Sequence, residues 1–185
     1  SMKRVGETFG LAKNLGEDLD FKVSFKNEDK NGVYSLGGTF GTTGGNTRSI
    51  VLPQPINQSA KDFVATLAHN GEKFQAQMDY SLSIFNNNVK SMTFENPYSG
   101  TAMAANGLMS MPQDNQHWKV GVSGGVDLPY ASRLSMSAEY GAMTQNDDLL
   151  PFALGTSTSL LPRATADAEI DIIHVLLNAT SNPLP

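Results

Sequence analysis

The sequence predicts an all-β chain: an antiparallel, up-and-down segment of a transmembrane β-barrel. About seven to nine strands are expected, with short periplasmic turns and long extracellular loops. Three observations carry this. Runs of about ten residues alternate apolar and polar side chains, as a wall between oil and water requires. Tight-turn signals fall near residues 15, 70 and 129, about 55–60 residues apart, with connections of roughly 20–30 residues between them. No apolar run approaches the roughly 18–20 residues of a spanning helix, and mean hydropathy is -0.26.

Taken in order, residues 4–12 form a weak strand, with Phe9 and Leu11 opposite Thr8 and Gly10. Residues 13–18 turn through Asn14 and Gly16. Leu19, Phe21, Val23 and Phe25 then alternate with Asp20, Lys22, Ser24 and Lys26, the cleanest amphipathic strand of the chain. Asn31-Gly32 has the chemistry of a two-residue hairpin turn. Residues 33–39 are then either a returning strand or the wall continuing beyond the membrane. Residues 40–58 read as a long connection, because Gly41, Gly44, Gly45, Pro53 and Pro55 all resist a ladder.

Residues 60–69 form a strand, Asn70-Gly71 a hairpin turn, and residues 72–85 the return, with Phe74, Ala76, Met78, Tyr80, Leu82 and Ile84 on one face. A second connection, 86–116, includes a short strand near 89–94. Residues 117–143 form a long hairpin. Trp118, Val120, Val122, Gly124 and Val126 run down one strand; Leu134, Met136, Ala138, Tyr140 and Ala142 return after Leu128-Pro129-Tyr130-Ala131. A third connection spans 144–163. The last strand, 165–178, alternates poorly, and a bulge near Ile172-Ile173 would restore one apolar face. Trp118, Tyr130 and Tyr140 lie near strand ends, where interfacial girdles occur.

Composition narrows the function classes. A net charge of -5 and a pI near 5.1 argue against a nucleic-acid binder. The chain has no cysteine, so it forms no disulfide, no thiolate metal site and no thioether bond to haem. His69, His117 and His174 have no histidine partner at metal-ligand spacing. Asp147-Asp148 lacks the alternating ligands of a calcium loop and reads as a solvated loop. No nucleophile elbow and no phosphate loop is present, so neither a catalytic nor a cofactor-binding residue is assigned. The start, Ser1-Met2-Lys3-Arg4, has no apolar signal region, and one interior segment of a larger barrel is expected over residues 1–185.

The polar side of the strands carries the candidate lumen or partner contacts: Lys22, Lys26, Gln75, Gln77, Asp79, Lys119, Arg133 and Glu139. Both signs of charge are present, which suits a hydrated lumen or a surface against another protein and does not suggest a strongly ion-selective pore.

Residues 108–152 contain a Pro-x-Asp-Asn-x-His element at Pro112, Asp114, Asn115 and His117. It leads into a strand with Gly124-Gly125, a Leu128-Pro129 turn and a strand end at Tyr140, Gly141, Met143 and Gln145, and then Leu150-Pro151. With Leu52–Asn57, Phe85–Tyr98, the Leu161-Pro162-Arg163 step and the closing Asn-Pro-Leu-Pro, the chain resembles the decahaem-associated outer-membrane β-barrels of the MtrB/PioB type. The resemblance implies a bacterial outer-membrane sheath with no redox chemistry of its own. It implies as partners lipid, a periplasmic multihaem c-type cytochrome that carries the haem, and an extracellular one. A generic diffusion porin and a soluble β-sandwich binding module are the alternative readings.

Overall fold

In the computed structural model, residues 1–43, 46–97, 106–150 and 161–182 are described. They form nine strands: β1 (Met2–Asn14), β2 (Leu19–Thr43), β3 (Asn46–Asn70), β4 (Phe74–Asn87), β5 (Ser91–Glu95), β6 (Asn106–Ser110), β7 (Asn115–Leu128), β8 (Ser132–Gln145) and β9 (Ala168–Ser181). Seven make one antiparallel sheet in the order β1-β2-β3-β4-β7-β8-β9, and β5 and β6 pair separately. The large sheet is open, with β1 and β9 at its edges.

The three tight turns, 15–18, 71–73 and 129–131, lie at one end of this sheet, because Asn14 pairs with Asp20, Asn70 with Gln75 and Leu128 with Ser132. The long connections leave from the other end. The third turn places Tyr130 and Ala131 at φ of 63° and 48°.

Three expectations about strand shape are corrected. Asn31-Gly32 is not a turn: β2 runs straight through it, with Asn31 opposite Asn57 and Gly32 opposite Ile56. Gly32 instead has φ 145°, and a Cβ there would clash with the Ser1 carbonyl oxygen, so glycine admits the close approach of β1. Residues 40–58 are not a long connection: β3 starts at Asn46 and includes both prolines. Val33 donates its amide to Ser1, on the β1 side, so Val33 and Pro55 form a non-hydrogen-bonded pair across β2 and β3. The nitrogens of Pro55 and Pro53 therefore face the free edge, where β4 no longer reaches and no ladder bond is lost. Finally, β9 has no bulge: its register with β8 is continuous from Ser132↔Ser181 to Gln145↔Ala168. Ile172 and Ile173 thus face opposite sides, and β9 is apolar on both.

The register aligns the apolar residues into rows across all seven strands. One row reads Leu11, Val23, Ala65, Tyr80, Val120, Tyr140 and Ile173; the next reads Lys13, Phe21, Leu67, Met78, Val122, Ala138 and Val175. A row on the long-loop side carries Phe9, Phe25, Phe63, Leu82, Trp118 and Ala142 and ends on β9 at Asp171, which accepts a hydrogen bond from the Tyr140 hydroxyl at 3.0 Å. Beyond it the same face turns polar, through Glu7, Asn27, Lys61, Gln116, Thr144 and Glu169, with Ile84 the exception. From the Phe9 row to the Phe74 row the band spans about 27 Å along the strands.

Nothing among the described residues covers this band. Phe9 is 65% exposed, Met136 50%, Ile173 74% and Val175 66%. The whole chain exposes 12841 Å², against roughly 8,600 Å² for a compact monomer of its mass. A side chain of this size gains roughly 1.5–3 kcal/mol on leaving water. Some fifteen of them together outweigh the ~5–15 kcal/mol stability of a whole domain. The soluble sandwich, which would close a second sheet over this face, is therefore not the architecture.

The enclosed apolar cluster is elsewhere. Leu52, Met92 and Met111 are buried, with Leu36, Ile50, Val89, Phe94 and Met109 packed around them. It joins the β5–β6 hairpin to the part of β2 and β3 that extends past β4.

Candidate functional site

The opposite face of the sheet is the candidate site. Even-numbered residues of β2 and β3 and odd-numbered residues of β4, β7 and β8 line it through their registers. All eight polar candidates share it. Lys22, Thr66, Asp79, Gly121, Glu139 and His174 form one row. Lys26, Asp62, Ser83, His117, Met143 and Ile170 form another.

The charges are matched within the wall. Lys119 Nζ lies 2.9 Å from Glu139 Oε2. Asp79 accepts hydrogen bonds from Thr66 Oγ1 at 2.9 Å and from Gln77 Nε2 at 2.8 Å. Arg133 spans the turn end: one guanidinium nitrogen is 2.5 Å from Asp127, and the other donates to Gln75 Oε1. Gly125 lies under that guanidinium, and a Cβ there would come within 2.6 Å of it. Glu28, buried among Arg4, Lys30 and Lys26, ties β1 to β2. Lys22 lies beside Thr66 in register.

Sequence reasoning did not find Glu28, and it did not find the cluster at the root of the long connections. There Lys90 Nζ lies 2.5 Å from Asp114 Oδ2 and 3.2 Å from Asp147 Oδ1. Asp147 also accepts the Asp114 backbone amide at 2.7 Å, and Asp114 accepts the Asn87 amide at 2.6 Å. Asn87 donates its side-chain amide to the Pro112 carbonyl at 2.8 Å. Asp147 is thus not part of a freely solvated loop. Burial works against both charges, but the ion pairs prevail: Lys90 is raised above its ordinary value and Asp114 lowered below its own. The one sequence signal was a lone lysine at the start of a connection, with carboxylates at that connection's far end and in the next one.

The remaining motif positions scatter by role. Trp118 and Tyr140 meet edge-on on the apolar face. Gly141 faces the polar side, where a Cβ would sit 2.7 Å from the Trp118 carbonyl oxygen. Gly124 lies on the apolar side, opposite Met136. Leu128 ends β7, and Pro129 begins the turn. Asn115 starts β7 and donates to the Gln113 carbonyl. His117 and Met143 pair across β7 and β8, and Gln145 ends β8 opposite Ala168. Pro162 and Arg163 lie in the connection before β9. Gly44, Gly45, Pro151 and the closing Pro183-Leu184-Pro185 fall outside the described residues. Among the described residues no three His, Cys, Asp or Glu side chains gather as a metal site.

A sheet with an uncovered apolar band, a charged opposite face and short turns at one end has the build of an outer-membrane barrel wall. The family described as "Putative outer membrane beta-barrel porin, MtrB/PioB" matches residues 1–185. The chain belongs to this family. No curated protein matches it significantly. Membership in the MtrB/PioB family places the chain in the outer membrane and identifies the uncovered band as its lipid face. The short-turn end is then the periplasmic one.

Proposed function

We propose that this wall is part of a sheath that holds a multihaem c-type cytochrome across the outer membrane, so that electrons pass between periplasm and exterior. The observation that carries the reading is the matched charge of the polar face. Lys119 with Glu139 and Arg133 with Asp127 cancel one for one, and Glu28 offsets part of the charge of Arg4 and Lys30. A wall without a field of one sign does little to concentrate ions, yet it suits a snug protein occupant. Glycines at Gly6, Gly10 and Gly121 on the same face leave room for an occupant's surface. The haem belongs to the partner, because this chain has no cysteine for thioether attachment. The wall positions and insulates, and takes no catalytic step.

Inward-facing Ile172 and Leu176 on β9 favour a protein occupant over a purely aqueous lumen. A diffusion porin is the second reading, favoured by the exposure of Lys26 and Asp127 on the same face. The test is to purify the protein from outer membranes in mild detergent and read the Soret absorbance. A stoichiometric haem band supports the sheath; a colourless barrel that conducts small solutes supports the porin.

A further inference from the structure

The β2–β3 pair extends about 40 Å past the end of β4 as a two-stranded ribbon. Its register is unbroken from Leu19↔His69 to Thr39↔Ser49, so the faces of the wall continue along it. Leu36, Ile50, Leu52 and Gln54 have the parity of Lys22, Lys26 and Lys30 and lie on the polar, inward side. The apolar cluster sits there. Gln54 Nε2 approaches Met111 Sδ at 3.4 Å, and a Cβ on Gly38 would touch Met109. The β5–β6 strands, within the connection between β4 and β7, therefore fold inward, over the polar face at the long-loop mouth, and not outward into solvent.

The hairpin is itself amphipathic. Met92 and Met109 pair across it and turn toward the ribbon with Phe94 and Met111. Thr93 and Glu95 are exposed on the other side, toward the mouth. Both ends of the hairpin are tied down. Lys90 precedes β5 and Asp114 follows β6, and their ion pair closes the base. Asp147, from the connection after β8, joins the same lysine. Asp148 stands next to it, in a bridge with Thr165.

We propose that the β5–β6 hairpin is a constriction folded over the long-loop mouth of the barrel, and that Lys90, bridging Asp114 and Asp147, is the latch that holds it. The Pro112-x-Asp114 element gains a role as the fixed foot of the latch. Two attachments of different physics hold the hairpin, an apolar seat and an ion triad, so each can be broken alone. The proposal does not rest on the identity of the lumen's occupant.

This chain has no cysteine, so one introduced thiol is the only one within it, and labelling of the barrel without that thiol sets the background. Ser24→Cys places it on the inward face of β2, on the wall below the ribbon. The barrel, purified from outer membranes and reinserted in vesicles, is treated from the long-loop side with a bulky, membrane-impermeant maleimide. Lys90→Ala is expected to speed labelling about tenfold, a shift of ~1.4 kcal/mol in the closed-to-open balance. Lys90→Arg should keep the slow rate. Leu52→Asp unseats the hairpin from the ribbon and should also speed labelling. Heat-modifiable gel migration shows whether each barrel is folded. Folded Lys90→Ala and Leu52→Asp barrels that label as slowly as Ser24→Cys alone would overturn the proposal. Should Lys90→Ala fail to fold, the Leu52→Asp rate decides by itself.

Discussion

The Trp118 indole meets the Tyr140 ring edge-on, with centroids 5.4 Å apart and planes at 74°. The two belong to adjacent rows of the lipid face on β7 and β8, near the end where the apolar band gives way to Gln116 and Thr144. Amphipathic rings favour that depth, with the ring body in acyl chains and the polar edge toward headgroups. This chain has one tryptophan, so the fluorescence lost on Trp118→Phe reports this site. Emission from the reinserted barrel should be quenched strongly by lipids brominated high on the acyl chain and weakly by aqueous iodide. The reverse pattern would put Trp118 in the lumen. In a double-mutant cycle Trp118→Ala and Tyr140→Ala should couple by about 0.5–1.5 kcal/mol.

Met136 and Ser135 are neighbours in sequence on opposite faces of β8, paired with Leu177 and Asn178 of β9. An arginine at Met136 must enter hydrocarbon well inside the band, at a cost of roughly 2–4 kcal/mol near the midplane. An arginine at Ser135 enters the polar side, near Gln75 and Asn178, and should cost under ~1 kcal/mol. Urea unfolding of both variants in lipid vesicles measures the difference. Equal losses would remove the assignment of inside and outside.

The seven-stranded wall was readable from sequence because alternation and tight turns are local and strong. Leu19 to Phe25 and Trp118 to Tyr140 stand in the structure as their period of two requires. The departures arise where a neighbouring strand overrides a local preference. Asn31-Gly32 favours a turn in isolation, yet thirteen residues of β1 pair along this part of β2 and keep it extended. Pro53 and Pro55 usually exclude a strand, but their missing donors fall on an edge that no strand occupies. A bulge in β9 would make its outer face uniform; the ladder to β8 stays continuous and leaves Ile172 inward. Within the site, the matched pairs between strands follow from register, and so did the shared face of the eight polar candidates. The Lys90 cluster joins the two ends of one connection to a second connection, and no periodicity links residues 90, 114 and 147.

Gly141 and Gly121 both face the polar side on adjacent strands, but their surroundings differ. A methyl on Gly141 would lie 2.7 Å from the Trp118 carbonyl oxygen and 3.1 Å from Lys119 Cβ, so the β7–β8 ladder must give. A methyl on Gly121 meets only Asp79 Cβ at 4.0 Å, an ordinary contact. Gly141→Ala should therefore destabilise the barrel by about 1–3 kcal/mol, the usual range for forced overpacking. Gly121→Ala should be neutral to within roughly 0.5 kcal/mol. Equilibrium unfolding followed by Trp118 fluorescence separates them, and equal stabilities would show that the β7–β8 spacing relaxes freely.

The latch has a defined pH window. Asp114 is held below its ordinary value of 3.8: burial raises it, but the Lys90 hydrogen bond and the Asn87 amide lower it further. Its contribution is complete above 3.8 and is lost as pH falls through the depressed value. Lys90 is raised above its ordinary 10.5: burial lowers it, and bonds to Asp114 and Asp147 more than reverse this. Its contribution is complete below 10.5 and is lost as pH rises through the raised value. The closed mouth should therefore hold from about pH 5 to 9 and open only in stronger acid or base. Asp148 and Glu95 are further carboxylates at the mouth, so the acid limb must be compared with a latch-free barrel. Single-channel conductance in planar bilayers should be flat across the plateau and rise in acid below the Asp114 range. Lys90→Ala should start at the higher conductance and lose that acid rise. A Lys90→Ala barrel with the same acid rise as the unaltered protein would assign the transition to other carboxylates and detach it from the latch.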